Sequence, residues 1–136
     1  MDRGVRIRNL SVHYETLQAL FKVDMEFQPG KLTLIVGSNG AGKSTLLGSI
    51  SGLVYDRIER KSLSDERIGL TGSITYDGED ITNLPPCERV KRGIVHCPEG
   101  RGLFPEMTVL DNLLVGAYLR RDKEGVKEDL ERVFSL

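Results

Sequence analysis

The sequence predicts an α/β fold, and three observations support this prediction. Residues 5–14 and 19–27 alternate apolar and polar side chains, which is typical of two antiparallel strands. The apolar run at 32–36 indicates a buried parallel strand. A glycine-rich loop at 37–45 follows, and then apolar residues at helical spacing that end at Gly52. Strand, loop and helix in this order form one unit of a parallel sheet.

The composition is that of one ordinary domain. The chain has 136 residues and a net charge of −1 with both signs mixed, so no surface for nucleic acid is expected. No apolar run has the length of a membrane span, and the first residues do not form a signal peptide. The two cysteines, Cys87 and Cys97, have no ligand-like spacing to each other or to the two histidines. Free thiols and a cytoplasmic protein are therefore expected.

Turn signals define the next elements along the chain. Residues 28–31, Gln-Pro-Gly-Lys, predict a turn into the strand before the loop. The charged stretch at 55–69 is expected to be a surface excursion with a short helix, or simply a solvated loop. The pair at 77–78, Asp-Gly, predicts a hairpin turn between a strand at 73–76 and a short strand at 79–82.

Helix signals dominate the remainder of the chain. The proline pair at 85–86 favours a short helix at 87–91, and the apolar residues at 93–97 indicate another buried strand. Thr108, with Asp111 three residues later, resembles a capping box, and apolar spacing predicts a helix after it. A second amphipathic set runs to the last residue.

The loop has the spacing of a phosphate-binding motif, Gly-x-x-x-x-Gly-Lys-Ser/Thr. Its glycines let backbone N–H groups turn toward an anion, and the following helix adds unpaired N–H groups and the positive end of its dipole. Lys43 is expected to reach the β- and γ-phosphates and Ser44 to ligate Mg²⁺. An accidental glycine-rich turn is the alternative. The predicted phosphate-binding residues are Gly37, Ser38, Asn39, Gly40, Ala41, Gly42, Lys43, Ser44 and Thr45.

These features together resemble the ATP-binding subunit of ABC transporters, over essentially the whole chain but only the first part of that family's domain. Residues 37–45 look like its Walker A motif. The resemblance implies a P-loop NTPase core portion with an antiparallel β subdomain and the start of a helical segment. It also implies ATP and Mg²⁺ as cofactors, with Tyr14 stacking on the adenine. Without the family, Tyr14 would be an ordinary strand aromatic.

The resemblance divides the chain into five parts of one incomplete domain. They are the β-subdomain strands at 1–30, the P-loop strand, loop and helix at 31–52, a charged insertion at 53–70, a β-hairpin and Q-loop strand at 71–97, and the Q-loop and helical segment at 98–136. The insertion looks longer than the usual link in the family.

The segment 98–101, Pro-Glu-Gly-Arg, falls at the Q-loop, where most ABC proteins have glutamine. This Pro-Glu-Gly-Arg version is similar to the Q-loop of one of the two ATPase subunits of branched-chain amino-acid importers. The segment at 81–86, Ile-Thr-Asn-Leu-Pro-Pro, resembles that subunit too. The resemblance implies that 98–113 contacts membrane permease subunits. It also implies a Q-loop role for Glu99, whose carboxylate would contact Mg²⁺ through a water molecule.

Three motifs of the family are not found in these residues: the Leu-Ser-Gly-Gly-type signature, an apolar run ending in Asp-Glu, and a later switch histidine. The run at 94–99 is not that apolar run, because Cys97 and Pro98 stand where the carboxylates are needed. In the family, Walker A of one subunit faces the signature of its partner, which implies a second ATP-binding subunit in a homo- or heterodimer. With Lys43 for charge stabilisation but no Walker B carboxylate, this chain alone is expected to bind ATP weakly and hardly to hydrolyse it.

The resemblance therefore implies an importer ATPase held at the inner face of the cell membrane by its permease. A small kinase or GTPase is a second hypothesis, although no arginine-rich lid or Asn-Lys-x-Asp motif is visible. A nucleotide-binding or interaction fragment without activity is a third. In the family, the strands that flank the P-loop strand come later in sequence, so an open apolar edge and self-association are expected.

Overall fold

The computed structural model describes residues 4–60, 67–100 and 102–136. The chain divides into two compact units, one that ends at His96 and one at Cys97–Leu136. Part of the predicted insertion, residues 61–66, and Arg101 of the predicted Q-loop lie outside the described residues. Within the described ranges, no helix reaches the length and apolar character that a bilayer crossing requires.

The first unit contains a four-stranded antiparallel sheet in the order β2-β1-β3-β4. The strands are β1 (Val5–Tyr14), β2 (Leu17–Phe27), β3 (Ile68–Tyr76) and β4 (Glu79–Asp80). Strand β1 pairs antiparallel with β2 on one side and with β3 on the other. The antiparallel pair predicted from the alternating residues is confirmed.

The turn between β3 and β4 has the predicted hairpin geometry. Asp77 and Gly78 both have left-handed backbones, with φ of 49° and 85°, as a type I′ turn requires. Strand β4 nevertheless ends at Asp80, two residues earlier than predicted. The reason is a side chain, because the Ile74 N–H donates to the Thr82 hydroxyl at 2.8 Å and the ladder ends there.

The described part of the chain contains five helices. They are α1 (Lys43–Ser51), α2 (Leu53–Glu59), α3 (Pro86–Lys91), α4 (Val109–Gly116) and α5 (Lys123–Phe134). Gly52 is left-handed and serves both as the C-cap of α1 and as the N-cap of α2. The Thr108 hydroxyl accepts a hydrogen bond from the Asp111 N–H at 3.1 Å, so the predicted N-cap of α4 is confirmed.

The core of the first unit fixes α1 and α2 against the sheet. Leu46 of α1 and Val54 of α2 are almost fully buried together with residues from β1, β2 and β3. This packing places the N-terminus of α1 next to β2, which matters for the site described below. The buried apolar residues are Ile7, Leu10, Val12, Leu20, Leu46, Val54, Ile68, Ile74 and Ile81.

The two predicted parallel strands, at 32–36 and 93–97, are wrong for this chain. Neither segment forms a strand, and Leu32 and Val36 are 100% and 78% exposed. A strand exists through hydrogen bonds to a neighbour, and among the described residues β1 to β4 pair only with one another. Most of the apolar side chains of the two segments are therefore exposed, whereas Ile35 and Ile94 pack against the core.

Arg89 is a fully buried cation that joins three segments of the first unit. Burial lowers the pKa of Arg89 to about 10, so the side chain remains charged at neutral pH. The sequence analysis gave this residue no role. Its guanidinium donates to four backbone carbonyls: Nε to Leu84 at 2.8 Å, Nη1 to Ser49 at 2.6 Å and Ile50 at 2.9 Å, and Nη2 to Thr82 at 2.9 Å.

We expect Arg89→Ala to lower the free energy of unfolding by about 3–5 kcal/mol, because four carbonyls lose their donors in a site without water access. Chemical denaturation followed by circular dichroism measures this loss. Arg92→Ala is the matched control, because Arg92 pairs with Glu79 and Glu88 at the surface and its removal is expected to cost far less. Equal losses for the two variants would contradict the structural role of Arg89.

Candidate functional site

The glycine-rich loop approaches β2 so closely that one position excludes every side chain. Gly42 has a φ of 86°, and a Cβ placed on it would lie 2.6 Å from the Ala19 carbonyl oxygen and 2.8 Å from Leu20 Cδ2. Gly40 is also left-handed, at 82°, but nothing lies within 4 Å of its Cβ position. The loop is thus shaped by backbone contact with the sheet at Gly42 and by conformation alone at Gly40.

The N-terminus of α1 presents backbone donors without a competing side chain. Gly42 is its N-cap and offers no side-chain hydrogen bond, and the first turn holds no acidic residue. The first backbone bond within the helix runs from the Leu46 N–H to the Gly42 carbonyl, at 2.8 Å. The N–H groups at the start of the helix therefore lack carbonyl partners within it and carry the positive end of its dipole. This geometry fits an anion.

Lys43 lies across the loop rather than away from it. Its Nζ donates to the carbonyl oxygens of Gly37 and Ser38, each at 2.7 Å. The ammonium group is therefore held against the loop that precedes α1. Ser44, the predicted Mg²⁺ ligand, follows directly and is exposed. Among the described residues, no three His, Cys, Asp or Glu side chains form a metal-binding group.

The sheet register brings Tyr14 to the same end of the β1–β2 hairpin as the loop. Gly42 contacts Leu20, and Leu20 pairs with Val12 of β1. Tyr14 lies two residues further along β1, which is a displacement of about 7 Å. The predicted base-stacking residue and the predicted phosphate loop are thus neighbours on one surface.

The sequence did not reveal the contacts of two further residues, one in each unit. Arg57 of α2 places its guanidinium carbon 5.4 Å from the centre of the Tyr14 ring. In the second unit, the Asn112 side chain accepts from the Phe104 N–H at 2.9 Å and donates to the carbonyls of Phe104 and Thr108, at 3.1 and 2.9 Å. Arg57 gave no signal beyond its charge. The asparagine on an apolar helix was a signal for a loop contact.

Glu99 is an exposed residue of the second unit. Within the described part of the chain, the Glu99 carboxylate forms no hydrogen bond or ion pair. Its Q-loop role stays a prediction. The segment at 102–112 is held by hydrogen bonds of the Asn112 side chain and by the Thr108 cap of α4. Its apolar side chains at Leu103 and Phe104 are 63% and 53% exposed.

The protein-family model described as ABC transporter matches residues 20–135. The chain belongs to the ABC transporter family. The resemblance inferred from the sequence is confirmed, and so is the fold class of an incomplete α/β domain of this family.

Relatives within the ABC transporter family differ in what their names say they carry. The probable branched-chain amino acid transport ATP-binding protein LivF of Archaeoglobus fulgidus is 37% identical over 93% of this chain and 48% of its own length. The ribose import ATP-binding protein RbsA of Streptococcus agalactiae is 35% identical over 85% of this chain and 21% of its own length. The chain thus spans about half the length of LivF and about a fifth of the length of RbsA.

A solved ATP-binding cassette of an ABC transporter, MJ1267, has a similar structure. The TM-score is 0.69 and the identity 31%, over 88% of this chain and 42% of the cassette. A second, nucleotide-free cassette shares the fold with a TM-score of 0.63, over 94% of this chain and 51% of its own. The antiparallel sheet and the helices described above are therefore the portion of the ABC cassette that this chain contains.

Substitutions at Gly40 and Gly42 separate the free-energy cost of backbone strain from the cost of a steric clash with β2. Gly40→Ala is expected to cost about 1 kcal/mol of unfolding free energy, because only the backbone is strained. Gly42→Ala is expected to cost about 1–3 kcal/mol more, because its Cβ also meets Ala19 and Leu20. Denaturant unfolding of both variants tests this difference, and equal costs would show that the loop does not rest on β2 as described.

Proposed function

We propose that this protein is the ATP-binding subunit of an ABC importer, which couples ATP binding and hydrolysis to transport across a membrane. One observation carries the proposal: the left-handed Gly42 brings the N-terminus of α1 and the ammonium of Lys43 to one loop beside β2. Backbone donors and a cation at a helix start are suited to a polyphosphate.

The proposed roles of the site residues follow from their chemistry. The N–H groups of residues 37–45 bind phosphate oxygens, and Lys43 exchanges its two carbonyl acceptors for the β- and γ-phosphates. The Ser44 hydroxyl is a ligand for Mg²⁺, which supplies further neutralisation of phosphate charge when bound. Tyr14 stacks on the adenine. Glu99 is proposed to approach the Mg²⁺ region through a water molecule.

The proposed cargo is a branched-chain amino acid. The similarity to LivF supports it, and so does the Pro-Glu-Gly-Arg sequence at 98–101. The match to a ribose importer subunit, at 35% identity, is the competing indication. Uptake assays with the two cargo classes, in cells that lack this protein, distinguish them.

The proposed partners are a second ATP-binding subunit and the membrane permease. The exposed apolar side chains of the second unit, among them Leu103, Phe104 and Val109, support a contact of the 98–113 region with the permease. The protein would then lie at the cytoplasmic face of the membrane. The second subunit would complete the nucleotide site with its signature motif, because in this family the Walker A motif of one subunit faces the signature of the other.

A nucleotide-binding or interaction fragment without enzymatic activity is the second candidate. The observation that favours it is the lack of an apolar run ending in Asp-Glu in the 136 residues, because such carboxylates hold Mg²⁺ and orient the attacking water. The two candidates share the loop and differ only in hydrolysis.

Removing the loop cation is expected to weaken ATP binding about 10- to 100-fold, because a charge-assisted bond to phosphate contributes roughly 1.5–3 kcal/mol. Titration calorimetry with Mg²⁺ and ATP on Lys43→Ala measures this loss. Lys31→Ala is the control, because Lys31 is an exposed lysine in the preceding turn and its removal changes the charge equally. An unchanged affinity in Lys43→Ala would refute the proposed site.

The 136-residue chain alone is expected to bind ATP without steady hydrolysis, because the carboxylate for the attacking water is not in its sequence. Phosphate release with excess ATP measures turnover, and Lys43→Ala provides the background. Steady release that disappears in Lys43→Ala would overturn this expectation and identify another residue as the base.

A further inference from the structure

The Tyr14 side chain contacts a cation. Arg57 Cζ lies 5.4 Å from the centre of the Tyr14 ring, within the range of a cation–π contact. The ring is half-buried, and part of it packs against the apolar core of the first unit. The accessible part of the ring is therefore limited, and the guanidinium occupies some of it.

Arg57 lies in α2, the helix that follows α1. Helix α2 begins directly after Gly52, the single residue between it and α1. Val54 of α2 is buried in the same core as Leu46 of α1, so the two helices are packed as one layer. On the other side, Tyr14 pairs with Ile68, the first residue of β3. Arg57 thus reaches the Tyr14 ring from a helix that is packed in the core, and its own side chain is exposed.

We propose that Arg57 competes with a purine base for the Tyr14 ring and must leave the ring before the base stacks there. This inference rests on the proposed function, because it assigns the Tyr14 ring to the nucleotide. The guanidinium and the base both seek the π-face, and only one group can lie against a given face at van der Waals distance. Arg57 is then a specificity-determining residue that lowers the affinity for a nucleotide relative to the affinity for a polyphosphate without a base.

The test compares two probes on the purified protein. Titration calorimetry with Mg²⁺ gives the affinities for ATP and for tripolyphosphate, and their ratio isolates the contribution of the base. Arg57→Ala and Arg57→Gln are expected to raise this ratio about two- to fivefold, the size of an exposed cation–π contact. The ratio also cancels the general effect of removing a positive charge near a polyanion.

Arg60→Ala is the matched control. Arg60 ends the same helix region and pairs with Asp56 at 2.9 Å, and its removal is expected to leave the ratio unchanged. In Tyr14→Ala the ratio is expected to fall, and the additional change Arg57→Ala is expected to have no effect on it. Circular dichroism spectra and melting curves establish that each variant is folded.

The outcomes separate this inference from the proposed function. A wild-type protein that binds neither probe overturns both. A wild-type protein that binds the probes, with a ratio that stays the same or falls in both Arg57 variants, overturns only the competition. A fall would mean that Arg57 assists the base, as it would if the guanidinium stacked on the adenine.

Discussion

The first unit depends on the buried guanidinium of Arg89. A cation without access to water is costly unless its donors are used, and here four carbonyls accept from it. Two of them belong to Ser49 and Ile50 in the last turn of α1, where the Ser49 carbonyl also accepts from the N–H of the C-cap Gly52 at 3.4 Å. Arg89 thus performs the work of a C-terminal helix cap from a distant part of the sequence, and it ties α3 to the phosphate-loop helix.

Helix α1 is consequently fixed at both ends by contacts that allow little variation. At its start, Gly42 rests on β2 where a Cβ would collide. At its end, a Cβ on Gly52 would lie 2.8 Å from Arg89 Nε. Leu46 is buried between these points. The helix that offers its N–H groups to an anion is therefore held in place before any ligand arrives, which reduces the entropy lost on binding.

The sequence predicts what depends on neighbouring residues and misses what depends on distant ones. The turn at Asp77 and the cap at Thr108 follow from local rules of backbone conformation, and these predictions were correct. The phosphate-binding role of the glycine loop stays a prediction. The strand at 32–36 was wrong because apolar composition indicates burial only when a partner strand is present. The burial of Arg89 could not be predicted, because it results from the packing of segments that are distant in sequence. Nothing in a short charged helix distinguishes a buried arginine from a surface one.

The two hydrogen bonds of Lys43 have a consequence for anion selectivity. Two of the three N–H donors of its ammonium are already bonded to the carbonyls of Gly37 and Ser38, so for these two donors an incoming anion gains only the difference between its own bonds and these. A halide offers a single negative charge and no array of oxygens for the loop N–H groups. A polyphosphate offers several charged oxygens at once. By this chemistry the loop favours an anion with several charged oxygens over a halide.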